Sequence, residues 1–170
     1  MLSNFPGRWA ALGLIAGPLA FSLPAPTADM SKLRRDPREI RLERFFAEKD
    51  APAQALAKEF ILAADRYGLD WRLLPSIAFV ESTGGKAYKN NNMFGWQNGD
   101  HRFRSIHSSI YHIAERLANS HYYKGKNLDR VLYTYNPIEG YRERVKAVMQ
   151  QLGPSRPTKP VRLATTAVGI

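Results

Sequence analysis

Residues 69–96, LDWRLLPSIAFVESTGGKAYKNNNMFGW, decide the organisation of the chain. The apolar periodicity of their first half predicts a helix over 69–80, with Asp70 as its N-cap and Pro75 early enough to be tolerated. The predicted inward side is formed by Trp71, Leu74, Ile77, Ala78 and Val80. Glu81 follows at the C-terminal end, and the Gly84-Gly85 pair then ends the helix. A single acid is therefore predicted where an apolar helix meets a loop.

Glu81 is the candidate proton donor of this stretch. A carboxyl group at the border of an apolar helix is partly desolvated, which raises its pKa and suits it to general acid catalysis. The alternative is a solvated residue at a helix end, because most charged side chains are exposed. Three asparagines at 90–92 and the Phe94-Gly95-Trp96 step come next. Aromatic faces stack on pyranose rings and amides bind hydroxyl and acetamido groups, so this combination favours sugar binding.

Three segments of the chain, taken in order, resemble those of a known family. Residues 81–85, ESTGG, are similar to an E-S-x-G catalytic signature, residues 92–96, NMFGW, to an N-x-F-G segment, and residues 135–137, YNP, to a Y-N-P or A-Y-N step. Together they resemble the lysozyme-like superfamily, specifically the bacterial lytic transglycosylases and the related endo-β-N-acetylglucosaminidases, the mannosyl-glycoprotein type included. The resemblance covers about residues 50–152. It implies a mainly α, lysozyme-like helical domain with a small β-hairpin lobe that forms one wall of a cleft.

The resemblance also implies glycan cleavage, with Glu81 acting first as acid and then as base. Glycoside cleavage needs a proton on the leaving oxygen and a group that stabilises positive charge at the anomeric carbon. Between Glu81 and Glu115 the only acid is Asp100, which is expected to form a turn. One carboxylate fits the lytic transglycosylases, for which the family implies that the substrate's N-acetyl group assists and its 6-hydroxyl closes a 1,6-anhydro ring. The related glucosaminidases use water instead.

Three residues near these motifs have an implied role, and two of them also have a simpler alternative. Tyr135 would lie near the catalytic carboxyl or the acetamido group, as a second catalytic residue, although a tyrosine at a helix end is often packing. Asn136, the next residue, is expected to bind substrate. Ser82 would contact the substrate or steady the site, and its alternative is a hydroxyl that caps the helix.

The middle segment is expected to form the floor of the sugar subsites through Asn92, Phe94, Gly95 and Trp96, with Phe94 alternatively in the core. Many lytic transglycosylases carry G-L-M-Q at this point, where the glutamine contacts the sugar. Gln97 is a substrate-binding candidate, but it follows Trp96 and is out of that register. This departure favours the glucosaminidase branch and leaves the product open.

No metal or other cofactor is expected. The four histidines, at positions 101, 107, 112 and 121, include no pair at i, i+4 on a helix, and the chain has no cysteine. Surface or hydrogen-bonded histidine is the expected state of each.

The chain divides into four regions. Residues 1–28 contain an apolar run over 9–23 that is short for a membrane span, which predicts a cleaved signal peptide or, alternatively, an uncleaved N-terminal anchor. Residues 29–49 predict a charged amphipathic helix or linker, and residues 50–152 the catalytic domain. Residues 153–170 contain three basic residues and no acid, which predicts a disordered basic tail.

Helix signals outside the central stretch are local and regular. Proline at the first helical position predicts helices that begin at 37 and 52, and Gly68 closes the second of these. Further helices are predicted over 105–121, 128–135 and 141–152. Asn98-Gly99 predicts a small two-stranded hairpin within 93–104.

The 170 residues carry a net charge of +10, which suits nucleic acid, anionic lipid or an acidic wall polymer. The basic residues are scattered and form no nucleic-acid motif, so no nucleic acid is expected. The expected protein is an exported, monomeric glycosidase of the periplasm or cell envelope, acting on the β-1,4 link between N-acetylmuramic acid and N-acetylglucosamine. Its expected partners are peptidoglycan strands and, through the N-terminus, a membrane. The competing hypothesis is a catalytically silent peptidoglycan-binding domain of the same fold.

Overall fold

The computed structural model describes residues 35–154, and the predicted signal segment, the start of the linker and most of the tail lie outside them. This part of the chain contains six α-helices and a 3₁₀ turn, Pro52–Leu56, that leads directly into the second helix. The helices are α1 (Pro37–Glu48), α2 (Ala57–Tyr67), α3 (Leu73–Ser82), α4 (Ile106–Asn119), α5 (Leu128–Tyr135) and α6 (Tyr141–Leu152). No strand occurs between residues 35 and 154, and the mainly α class is confirmed. None of these helices combines the length and apolarity needed to cross a bilayer.

Helix ends follow local capping signals wherever a short polar side chain precedes the helix. The Asp36 carboxylate accepts from the Arg38 amide at 2.8 Å, Ser105 and Ser108 form a reciprocal capping box, and Asn127 caps α5. Gly68 ends α2 in the left-handed conformation, with φ of 65°. The predicted start of α1 and the predicted bounds of α5 and α6 are confirmed.

The start of α3 differs from the prediction. Asp70 does not cap the helix, because its carboxylate accepts from the Arg72 amide at 3.0 Å and holds the Arg72 guanidinium at 2.6 Å in a turn that precedes it. The helix therefore begins at Leu73, and Pro75 is its third residue, where a missing N–H leaves no bond unmade. Trp71 and Arg72 donate from this turn to the carbonyls of Pro154 and Gly153, at 3.3 and 2.8 Å.

The core surrounds α3. Residues 73–78 of this helix are buried, and α2, α4 and α6 pack around it. Phe46, Phe60 and Phe94 extend the core away from α3, with ring centroids 6.0 Å apart in the first pair and 6.4 Å in the second. A helix that is apolar on most sides has to be enclosed, and Glu81 lies where that enclosure ends.

The predicted hairpin over 93–104 is not formed. The Asn98-Gly99 turn is present, with φ of 55° and 81°, but its flanks do not pair as strands. The buried Asn92 side chain takes the backbone groups that a ladder would use, because it accepts from the Trp96 amide and donates to the carbonyls of Trp96 and His101. The segment between α3 and α4 is therefore a compact lobe of turns.

Candidate active site

Glu81 lies in the last turn of α3, which ends in three successive left-handed residues. Thr83 adopts φ of 51° before Gly84 and Gly85, so the reversal begins one residue earlier than the glycine pair predicts. Ser82 stabilises this turn, because its hydroxyl donates to the Ala78 carbonyl at 2.9 Å and accepts from the Gly85 amide at 3.0 Å. The Ser82 side chain is only 3% exposed and has the helix-capping position rather than a position on the cleft.

Gly84 fixes the position of this helix end against the rest of the core. A Cβ atom at Gly84 would lie 2.8 Å from the Ala51 Cβ and 3.0 Å from the Phe46 ring. The Gly84 carbonyl accepts from the Ala53 amide at 2.9 Å. The backbone that carries Glu81 is therefore packed directly against the end of α1 and the 3₁₀ turn.

The lobe between α3 and α4 places Gly95 against the Glu81 carboxyl group. A Cβ atom at Gly95 would lie 2.6 Å from Glu81 Oε2 and 3.2 Å from its Cδ, and Gly95 has φ of 63°. Both the space and the backbone conformation at this position suit only glycine. Gly95 is thus the point at which the lobe touches the acid.

Tyr135 connects this lobe to α5 and α6. Its hydroxyl donates to the Phe94 carbonyl at 2.6 Å, and its ring lies 5.8 Å from Trp96 and 6.2 Å from Tyr141, parallel to the latter within 7°. Phe94 itself is fully buried, so its side chain belongs to the core and not to the floor of the cleft. Tyr135 therefore sets the distance between the lobe and the helices opposite.

Burial raises the pKa of Glu81 above its ordinary value, because a desolvated carboxylate is disfavoured. Tyr141 and Asn136 act in the opposite direction through their hydrogen-bonding groups, as does the positive charge of Arg144, but burial is the largest effect. The side chain is half-buried, so it still reaches solvent. A protonated, accessible carboxyl group can donate a proton at a higher pH than a free glutamic acid can.

A cleft of about 640 Å³ opens over Glu81. The predicted site residues that line it are Glu81, Asn92, Gly95, Trp96, Gln97, Tyr135 and Asn136, whereas Ser82 and Phe94 do not. Its other lining residues are Ala87, Tyr88, Lys89, Asn98, Gly99, Pro137 and Ile138. Glu81 is the only acid among all of these, and amides and aromatic rings supply most of the remaining polar and stacking groups.

Two residues of α6 near Glu81 were not predicted as part of the site. The periodicity of α6 correctly makes Tyr141 an inward residue, but periodicity carries no information on which group its hydroxyl meets. Arg144 lies one turn further along, with its guanidinium 5.9 Å from the Tyr141 ring centre. The only feature of the sequence that pointed to Tyr141 was its hydroxyl group, a polar group on a residue that the hydrophobic periodicity assigns to the core.

The histidines lie outside the cleft lining. His101 and His112 stack with their ring centres 5.5 Å apart, and His112 is 6.2 Å from Trp96. Burial is the main reason that the pKa of His112 is lowered, and the neighbouring His101 adds to the effect. Among residues 35–154 no group of three or more potential metal-binding side chains comes together.

Comparisons of the chain with protein-family models, with curated proteins and with solved structures found no match.

Proposed function

We propose that the protein is a peptidoglycan-cleaving glycosidase with a lysozyme-like domain, in which Glu81 is the single general acid and base. The observation that carries the proposal is the position of Glu81, a half-buried carboxyl group that is the only acid lining a cleft of amides and aromatic rings. The raised pKa supports the acid role, since the first step of glycoside cleavage requires a protonated carboxyl group.

The lining of the cleft supports a sugar polymer as the substrate. Trp96 and Tyr88 offer partly exposed ring faces, and Asn136, Gln97 and Asn98 offer amide groups. Rings of this kind pack against the apolar face of a pyranose, while amides bind its hydroxyl and acetamido groups. The proposed substrate is the β-1,4-linked glycan of N-acetylmuramic acid and N-acetylglucosamine.

A second carboxylate is not available in the cleft to stabilise positive charge at the anomeric carbon. Asp100, the only acid between Glu81 and Glu115 in the sequence, has a side chain that is 76% exposed and pairs with Lys89 at 2.8 Å. The substrate's own acetamido group is therefore the proposed stabilising group, and Tyr135 and Asn136 are in the cleft lining with Glu81. Both a 1,6-anhydro product and hydrolysis by water are compatible with this arrangement.

The remaining parts of the proposal concern where the enzyme works. Export to the periplasm or cell envelope, membrane association through the N-terminus and a monomeric state follow from the sequence expectations. They give the enzyme access to peptidoglycan strands, and the +10 net charge favours approach to an anionic wall.

The experiment is digestion of purified peptidoglycan by the full chain, with mass spectrometry of the soluble fragments. The wild type is compared with Glu81→Gln, and Asp100→Asn is the matched control because it removes an acid outside the cleft lining. We expect fragments from the wild type and from Asp100→Asn, and at least a roughly 1000-fold loss for Glu81→Gln, which is about 4 kcal/mol of transition-state stabilisation.

The fragments decide the reaction. Ends of 1,6-anhydro-muramic acid would identify a lytic transglycosylase, and reducing-end N-acetylglucosamine would identify a glucosaminidase. Binding of the wall by the wild type and by Glu81→Gln, without cleavage by either, would refute the enzyme and favour the silent binding domain.

A further inference from the structure

Tyr141 is the first residue of α6, and its buried hydroxyl group makes no hydrogen bond of ordinary distance and angle, although it is near enough to Glu81 to affect the pKa of that residue. The residue is 1% exposed, so no bulk water replaces the missing partner. Buried polar atoms are nearly always paired, and each unpaired one in a folded protein requires an explanation. Within residues 35–154 only one other buried side-chain atom, Ser76 Oγ, shares this condition.

The Tyr141 ring is held in a fixed orientation. It stacks on Tyr135, parallel within 7°, and the Arg144 guanidinium lies 5.9 Å from its centre. Tyr135 uses its own hydroxyl for the Phe94 carbonyl, so the two stacked tyrosines have different tasks. The Tyr141 hydroxyl lies close enough to the carboxyl group of Glu81 for each group to shift the pKa of the other.

The Glu81 carboxyl group is confined from the opposite direction by Gly95, whose missing Cβ leaves just enough room for Oε2. A carboxyl group that lies between the Gly95 backbone and the Tyr141 phenol has only a small range of orientations. When Glu81 is protonated, it has a proton of its own to donate. When it is ionised, it requires a donor, and the unpaired hydroxyl of Tyr141 is in place to supply one.

We propose that Tyr141 is a positioning residue for Glu81. Its hydroxyl group donates a hydrogen bond to the Glu81 carboxylate whenever Glu81 is ionised. The role in catalysis rests on the proposed function: Glu81 transfers its proton to the leaving glycosidic oxygen, becomes a carboxylate, and accepts a hydrogen bond from Tyr141 until a proton returns. Tyr141 keeps its own proton throughout. The proximity of Glu81 and the burial of the ring both raise the pKa of Tyr141, which supports a hydroxyl that stays protonated.

The contact can be tested without any substrate. The pKa of Glu81 is measured by ¹³C NMR of the side-chain carboxyl groups, assigned by comparison with Glu81→Gln, in wild type and in Tyr141→Phe. Tyr111→Phe is the matched control, because the Tyr111 hydroxyl donates to Glu59 at 3.0 Å, away from the site. We expect Tyr141→Phe to raise the pKa of Glu81 by about half a pH unit or more, since a donor to the charged form is lost. Tyr111→Phe should leave it unchanged.

An unchanged or lowered Glu81 pKa in folded Tyr141→Phe would overturn the proposal. If that variant does not fold, the wild type still decides: the ring-carbon resonance next to the Tyr141 hydroxyl should titrate with the pKa of Glu81, and its failure to do so would refute the contact. Neither measurement depends on wall digestion. A chain that cleaves nothing can therefore still support the contact, and an active enzyme can still refute it.

Discussion

Substitution of Gly95 by alanine separates backbone strain from displacement of the acid. At φ of 63° a side chain costs about 1 kcal/mol of stability. The new Cβ would also lie 2.6 Å from Glu81 Oε2. The optimal separation of non-bonded heavy atoms is about 3.5 Å, so the carboxyl group must be displaced by roughly 0.9 Å. A misplacement of about 1 Å lowers a catalysed rate roughly 100-fold, or about 2.7 kcal/mol of transition-state free energy.

Gly68→Ala is the matched control for this substitution. Gly68 has φ of 65°, and no atom lies within 4 Å of the place that a Cβ would take, so this position carries the same backbone strain without a clash. Both variants should lower the free energy of unfolding by about 1 kcal/mol, measured by urea denaturation. Only Gly95→Ala should lose wall-digesting activity, by roughly 100-fold.

Equal activity of the two glycine variants, at equal stability, would refute the argument that contact with Gly95 fixes the catalytic position of the Glu81 carboxyl group. The Glu81 pKa gives a second readout that needs no substrate. It should differ from wild type in Gly95→Ala and match wild type in Gly68→Ala.

Three further outcomes follow from the same geometry. Ser82→Ala should lose about 1–2 kcal/mol of stability in urea unfolding, because Ala78 and Gly85 lose a buried partner, while activity per folded molecule is kept; a large loss of activity at unchanged stability would instead indicate a substrate contact. Asn92→Ala removes three hydrogen bonds and should cost about 2–4 kcal/mol, seen as a lower melting temperature. Because the pKa of Glu81 is raised on folding, its contribution to stability is intact below pH 4.5 and falls as pH rises through the folded value. Glu81→Gln should therefore melt above wild type at about pH 7 and lose this advantage near pH 4; a constant difference across that range would contradict the raised pKa.

The helices could be predicted because their signals are local. Asp36-Pro37, Ser105 and Asn127 each cap the helix that follows within a few residues, so neither the rest of the fold nor a distant contact is needed. The position of Glu81 at the end of an apolar helix followed from the same kind of pattern. The raised pKa of Glu81 could then be predicted, because a carboxyl group at the border between core and solvent is partly desolvated.

The errors arise where a polar side chain binds a partner that the hydrophobic periodicity does not reveal. The N-cap prediction for α3 was wrong because Asp70 binds Arg72 instead. The hairpin was wrong because Asn92 binds the backbone at 96 and 101, and a side chain that competes with a ladder leaves no mark on hydrophobic periodicity. The meeting of Tyr141 with Glu81 joins residues 60 positions apart, and only tertiary packing brings them together.

The hydrogen bonds from Trp71 and Arg72 to residues 153 and 154 have a practical consequence for anything joined to the C-terminal side of the domain. They place residue 154 beside the first turn of α3, whereas Glu81 is in its last turn. Ten helical residues at about 1.5 Å each separate the two points by roughly 15 Å. A purification tag, a fluorescent reporter or a surface linkage attached after residue 154 would therefore begin at the far end of α3 from the cleft and leave a long glycan strand free to enter.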